Sequence, residues 1–178
     1  MADKLKRLEE EIPRLRRYAR FLVRDVDQAD DLVQECLTRA IAKIDSWTEG
    51  TNLRAWLFVI LKNCHINQLR QNRRMAVDGD VDVEHETAAV APSQDAHMAL
   101  REVRDAFLTL SEEHREILLL VAIEGLQYEE AAAVLDVALG TVRSRLSRAR
   151  QALRAALGEG GVHPTGAPGD AAWMIGTP

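Results

Sequence analysis

The sequence predicts an all-α protein built as two small helical domains joined by a flexible acidic linker. Three observations predict it. Apolar residues recur at helical spacing on both sides of a central segment. That segment, residues 76–95, has no periodicity and carries six acids with no Lys or Arg. The stretch LQYEEAAAVLDVALGTVRSRLSRARQALRAAL, residues 126–157, reads as two short helices joined by a tight turn. The expected domains are 1–75, a linker at 76–95, a second domain at 96–157 and a flexible Gly/Pro-rich tail at 158–178.

In chain order, Leu15, Ala19 and Leu22 define a first helix. Pro13 fits best in its first turn, where a missing N–H costs nothing, so the helix is expected to start near Ile12. Asp27 is the expected cap of a second helix, DQADDLVQECLTRAIAKI. Its buried stripe is Leu32, Cys36, Leu37, Ala40, Ile41 and Ile44, leaving Asp31, Gln34, Glu35, Thr38 and Arg39 exposed. Trp47 sits in the polar loop Asp45 to Thr51, where an aromatic is either a lid on the core or a stacking platform for a base. A long helix over Leu53 to Arg74 follows, apolar at Leu53, Leu57, Ile60, Leu61, Cys64 and Leu69. Between Gly50 and Val77 there is no acid, but Arg54, Lys62, Arg70, Arg73 and Arg74 are basic. Asn63, Asn67, Gln68 and Asn72 add amides, and Trp56 and Phe58 add aromatics, a combination suited to single-stranded nucleic acid.

Beyond the linker, QDAHMALREVRDAFLTL is a helix and Ser111 caps the next one, EEHREILLLVAIE, which Gly125 stops. Ala131, Ala132 and Leu135 face inward from a short helix, and Asp136-Val137-Ala138 is the turn. Gly140-Thr141 opens the last helix, with Thr141 free to cap it or meet a phosphate. Val142, Leu146, Ala149 and Leu153 recur at i, i+4, i+7 and i+11 and form its buried face. Arg143, Ser144, Ser147, Arg148 and Gln151 point elsewhere, with the donors that a major groove reads. Arg145, Arg150 and Arg154 flank them as phosphate contacts. The ordinary alternative is a solvated basic helix. Against it, residues 139–157 hold five Arg and no acid, whereas 96–138 hold nine acids and three Arg, so charge is segregated.

The net charge of −5 therefore hides two basic helices. Cys36 and Cys64 stand alone inside helical patterns and read as small buried hydrophobes in a reducing compartment, with no metal site and no cofactor expected. No apolar run reaches the roughly 20 residues of a membrane span, and the charged start is unlike a signal peptide, so a cytoplasmic location without membrane insertion is expected. No Gly-rich phosphate loop or nucleophile elbow appears and the five His are scattered, which disfavours an enzyme.

These segments resemble the extracytoplasmic-function (ECF) sigma factors of RNA polymerase, in their minimal two-domain form. ADDLVQECLTRA is similar to the family's core-polymerase-binding helix, GTNLRAWLFVILKNCHINQLRQNRR to its −10 element, and GLQYEEAAAVL with LGTVRSRLSRARQAL to its −35 helix-turn-helix. PRLRRYARFLVRD, ADDLVQ and GTNLRAWLF most resemble the general-stress-response (EcfG-like) subgroup. The resemblance implies a sigma region 2-like domain at 1–75 and a region 4-like domain at 96–157. It implies that Asp31, Gln34, Glu35 and Arg39 dock on core RNA polymerase. Trp47, Thr51, Asn52 and Asn63 fall where the family captures a flipped base of the single-stranded −10 element, with Lys62, Arg70 and Arg73 on its backbone. Thr141, Arg143, Ser144, Arg145, Ser147 and Arg148 occupy the positions that bind duplex −35 DNA. Where the family commonly has Pro before the recognition helix, this chain has Ala138. The implied partners are polymerase, promoter DNA and a small helical, NepR-like anti-sigma factor, with the free chain a monomer. The competing class is a stand-alone helix-turn-helix regulator, which would bind a palindrome as a dimer.

Overall fold

The computed structural model describes residues 2–75 and 94–158, and among these it contains helices and turns but no strand. The helices are α1 (Ala2–Val23), α2 (Val26–Ala42), α3 (Leu53–Met75), α4 (Gln94–Leu108), α5 (Glu112–Leu118), α6 (Tyr128–Leu135) and α7 (Leu139–Ala156). A 3₁₀ turn spans Ile44–Ser46 and a π-helical turn spans Leu119–Ile123. The described residues form two compact units: α1, α2 and α3 together with α6, and α4, α5, the π turn and α7. The expected linker lies outside the described residues except at its last two positions, which already belong to α4. The tail beyond Gly158, with Trp173-Met174-Ile175, lies outside them too.

The first unit closes on a core of Leu8, Leu15, Tyr18 and Ala19 from α1, Leu32, Val33, Cys36 and Ala40 from α2, and Leu57, Phe58, Leu61 and Cys64 from α3. The rings of Tyr18 and Phe58 meet at 4.9 Å between centroids, both fully buried. Polar contacts pin the helices at the rim of this core. Arg54 Nε of α3 donates to Glu11 of α1 at 2.9 Å, and Arg16 of α1 pairs with Asp30 of α2 at 3.2 Å.

Four expectations change here. Helix α1 begins at Ala2, not near Ile12, so Pro13 lies mid-helix on the exposed side. The lost hydrogen bond is offset upstream: Leu8 is buried, Arg7 stacks on Trp47 and Lys4 pairs with Glu49 at 3.6 Å. The cap of α2 is Asp25, whose Oδ1 accepts from the Gln28 N–H at 2.8 Å, while Asp27 falls in the first turn. Ile41 and Leu69, expected in buried stripes, are 51% and 44% exposed, because the last turn of α2 turns Ala40 inward and the buried positions of α3 stop at Cys64. Phe58, expected beside nucleic acid, belongs to the core.

In the second unit Ser111 caps α5 as expected, its Oγ accepting from the His114 N–H at 3.4 Å. The helix expected to run on to Glu124 widens into a π turn instead, with the Glu124 N–H reaching the Leu119 carbonyl at 2.9 Å. Gly125, at φ +70°, then reverses the chain so that the Leu126 N–H reaches the Leu120 carbonyl at 3.0 Å. Ile117, Leu118, Leu119 and Leu120 are all buried, and α7 lays Val142, Leu146 and Ala149 against α5 and α4.

Cys36 and Cys64 are buried and unpaired, and Cys36 Sγ lies 3.6 Å from the Leu57 carbonyl. Burial pushes the Cys36 thiol up from 9.0 to about 12, with Cys64 adding to the effect. Burial raises Cys64 as well. Two outcomes are expected. At pH 8 both thiols of the native chain should react with a maleimide about 100-fold more slowly than in denaturant, as judged by mass spectrometry. Below pH 9 the Cys36 thiol is protonated in both states; between pH 9 and 12 the unfolded chain releases a proton that the folded chain keeps. Stability should therefore fall as pH rises through that window, readable as a declining urea midpoint. Separately, Phe58→Ala should cost about 3 to 5 kcal/mol in urea unfolding.

Candidate nucleic-acid interface

Helix α7 presents two faces. Val142, Leu146 and Ala149 are buried, and Arg143, Ser147, Arg148, Arg150 and Gln151 are exposed. At 100° per residue Arg143, Ser147, Arg150 and Arg154 share one stripe, and Ser144, Arg148 and Gln151 the next. The helix starts at Leu139, earlier than the Gly140-Thr141 start expected. Thr141 is therefore inside its first turn, half-buried, and its carbonyl accepts from the Ser144 hydroxyl at 3.0 Å. Arg145 is tied back by an ion pair with Glu113 at 3.4 Å, which holds it beside α5. The residues best exposed to a groove are thus Arg143, Ser147, Arg148 and Gln151.

On the first unit, Asn52 immediately precedes α3 and caps it. Its Oδ1 accepts from the backbone N–H of Arg54 at 3.1 Å and of Ala55 at 3.4 Å, covering donors that the first helical turn leaves open. That fixes the amide, so its Nδ2 must point away from the helix. It donates to Glu130 Oε2 of α6 at 3.0 Å. Thr51 is exposed, with its hydroxyl on the Thr48 carbonyl at 2.7 Å. Asn63, Arg70 and Arg73 are exposed and Lys62 is half-buried. Arg54 was counted in the basic face, but its ion pair with Glu11 makes it a structural residue.

Trp47 is only 3% exposed. The Arg7 guanidinium lies over its ring at 4.8 Å, and its Nε1 is buried without a partner. It therefore supports the loop before α3 from beneath. Arg7 is a residue that sequence reading missed, since a cation 40 positions away leaves no local signal.

Along α2, Asp31, Gln34, Thr38 and Arg39 are exposed. Glu35 is half-buried, ion-paired with Arg39 and accepting from Gln68 Nε2 of α3 at 2.8 Å. Of the four residues expected to dock on polymerase, Asp31 and Gln34 are the most available, and Glu35 and Arg39 act as a pair.

No group of three or more potential metal ligands occurs among the described residues, and no described helix is long and apolar enough to cross a membrane.

Comparison with known proteins places these two regions. A family model described as the Sigma2 domain of PhyR matches residues 8–62, and the model for sigma-70 region 4 matches residues 100–153. ECF RNA polymerase sigma factor EcfG of Rhodopseudomonas palustris (strain TIE-1) is 45% identical over 146 residues, which cover 82% of this chain and 80% of that protein. ECF RNA polymerase sigma factor SigL of Mycobacterium tuberculosis (strain H37Rv) is 36% identical over 148 residues, covering 82% and 84%. The sigma factor RpoE of Bartonella quintana, solved with the anti-sigma factor NepR, superposes with a TM-score of 0.73 at 40% identity, covering 88% of this chain and 98% of that one. With matching models over both helical regions and relatives similar along most of their own length, the chain belongs to the ECF sigma factors of RNA polymerase.

Proposed function

We infer that this ECF sigma factor binds core RNA polymerase and directs promoter-specific initiation by reading duplex −35 DNA through α7 and single-stranded −10 DNA through α3. The observation that carries this reading is the division of α7 between a sealed apolar face and an open face of Arg143, Ser147 and Arg148. Guanidinium forks on such a face suit guanine edges in a major groove, and the hydroxyls suit either strand. On α3, Thr51, Asn52 and Asn63 supply donors and acceptors for an unstacked base, with Lys62, Arg70 and Arg73 along its phosphates. Base capture on Trp47 itself needs Arg7 to swing aside.

Unstacking a base costs a few kcal/mol. The basic and amide groups on α3 offset that cost only once the strand is single, so polymerase and sigma factor act together. Asp31, Gln34, Glu35 and Arg39 on α2 form the docking face for polymerase. The protein is an initiation factor and not an enzyme, as its family implies. It acts in the cytoplasm, where polymerase works. The likeness to a sigma factor solved with NepR supports control by a small helical anti-sigma factor in a stress response. The chain matches sigma factors through both regions, which favours this reading over a stand-alone regulator.

Run-off transcription with purified core polymerase tests the whole reading: added protein should produce promoter-dependent transcripts, and a gel shift of duplex DNA by the protein alone, with no transcript, would overturn it. Arg148→Ala should weaken promoter binding by about 1 to 3 kcal/mol and relax the preference for one −35 base while leaving thermal unfolding unchanged. Asp31→Arg should reduce capture by polymerase without altering binding of −35 duplex by the protein in excess.

A further inference from the structure

Of the residues that the preceding reading assigns to the −10 strand, Thr51, Asn63, Arg70 and Arg73 are exposed, but Asn52 is already engaged by another helix. Helix α6 packs on α3 within the first unit, burying Ala131 and Val134. Thr51, Asn52, Trp56 and Val59 of this face line one hollow with Glu129, Glu130 and Ala133 of α6. Glu130 Oε2 accepts both the Gln127 N–H of its own helix, at 2.8 Å, and Asn52 Nδ2, at 3.0 Å. It thus occupies one of the two N–H donors of the Asn52 amide nitrogen and holds that nitrogen against α6. The position matters electrostatically too, because the start of α3 is the positive end of a helix dipole, where an anion is favoured. A DNA phosphate or base acceptor suits that place, and here two carboxylates from α6 stand beside it.

The match to sigma-70 region 4 spans α6, so by sequence α6 belongs with the −35 reader, whereas its packing partner is the −10 reader. We propose that α6 is an intramolecular plug for the α3 face that reads single-stranded DNA, seated by Ala131 and Val134 and latched by the Glu130–Asn52 hydrogen bond. The proposal rests on the assignment of the α3 face to −10 DNA. The latch makes −10 reading conditional: α6 must leave α3 before a strand can reach Asn52. Polymerase docking supplies that separation, since it fixes the two readers at promoter spacing.

The test uses the full chain in two arms. Val59→Cys with Ala133→Cys places two thiols on the hollow, against a background of Cys36 and Cys64 that are both buried. A short cleavable bis-maleimide should link them in the free chain. The linked chain should lose at least tenfold in binding of a fluorescent −10 non-template oligonucleotide and in open-complex formation with polymerase, and both should return on cleavage. Failure to link, or full activity of the linked chain, overturns the plug. In the second arm Glu130→Ala, which removes both the charge and the acceptor, should raise oligonucleotide affinity of the free chain about fivefold to tenfold, whereas Glu129→Ala removes the same charge and leaves the Glu130–Asn52 bond in place, and should change it less than twofold. Equal effects of the two would reduce the latch to general charge repulsion and overturn it. If the paired cysteines perturb folding, this second arm decides alone. Loss of transcription with the unmodified chain would instead sink the functional reading, while linking of the free chain would still report the contact.

Discussion

The start of α3 depends on one amide. Asn52 turns its oxygen onto the first backbone donors of α3 and its nitrogen onto Glu130 of α6, so a single side chain both caps the helix and ties a second element to it. A cap of this kind contributes on the order of 1 kcal/mol. Its larger effect is geometric, because an amide fixed by its oxygen has no freedom left in where its nitrogen points. The position of α6 on the first unit follows from that constraint and from the burial of Ala131 and Val134.

The same economy governs the charges. The basic helices looked alike by composition, yet the structure spends several of their charges internally. Arg54 holds Glu11 and Arg145 holds Glu113, and outside these helices Arg7 of α1 covers Trp47. Arg54 and Glu11 are both largely buried, so their pairing avoids leaving a lone charge out of water; the more exposed Arg145 pair is worth little in stability but fixes a direction. What remains for a partner is narrower than the count of Lys and Arg suggested: Arg143, Arg148, Arg150 and Arg154 on α7, and Arg70, Arg73 and Arg74 on α3. Selectivity gains from that narrowing, since arms fixed at known places read a groove better than a uniformly basic surface does.

Helix α3 shows how a reading surface is kept rigid. Its Leu57, Phe58, Leu61 and Cys64 are locked against α1 and α2, and Tyr18 meets Phe58 ring to ring. Beyond Cys64 the buried positions end, and the stretch carrying Arg70 and Arg73 is exposed. The anchored half of the helix holds Asn52 and Asn63 in place, and the basic half extends into solvent where phosphates can be met. In α7 the apolar contact runs to Ala149, so the exposed Arg143, Ser147 and Arg148 are all backed by packed residues.

The sequence by itself determined the helical class, three of the four expected buried positions of α7 (Val142, Leu146 and Ala149, with Leu153 only half-buried), the Ser111 cap and the stop at Gly125, because periodicity and capping are local and carry their own signal within a turn or two. It also determined the family, through segments long enough to be recognised whole. It misplaced the start of α1, the cap of α2 and the ends of two buried stripes, since a proline penalty or a terminal turn is outweighed by neighbours that the local pattern does not contain. Only the tertiary structure decided that Phe58 is core, that Trp47 lies under Arg7, and that Glu130 reaches Asn52 across 78 positions of sequence. Those outcomes depend on which surfaces meet in space, and no spacing along a single chain encodes the partner of an outward-pointing amide.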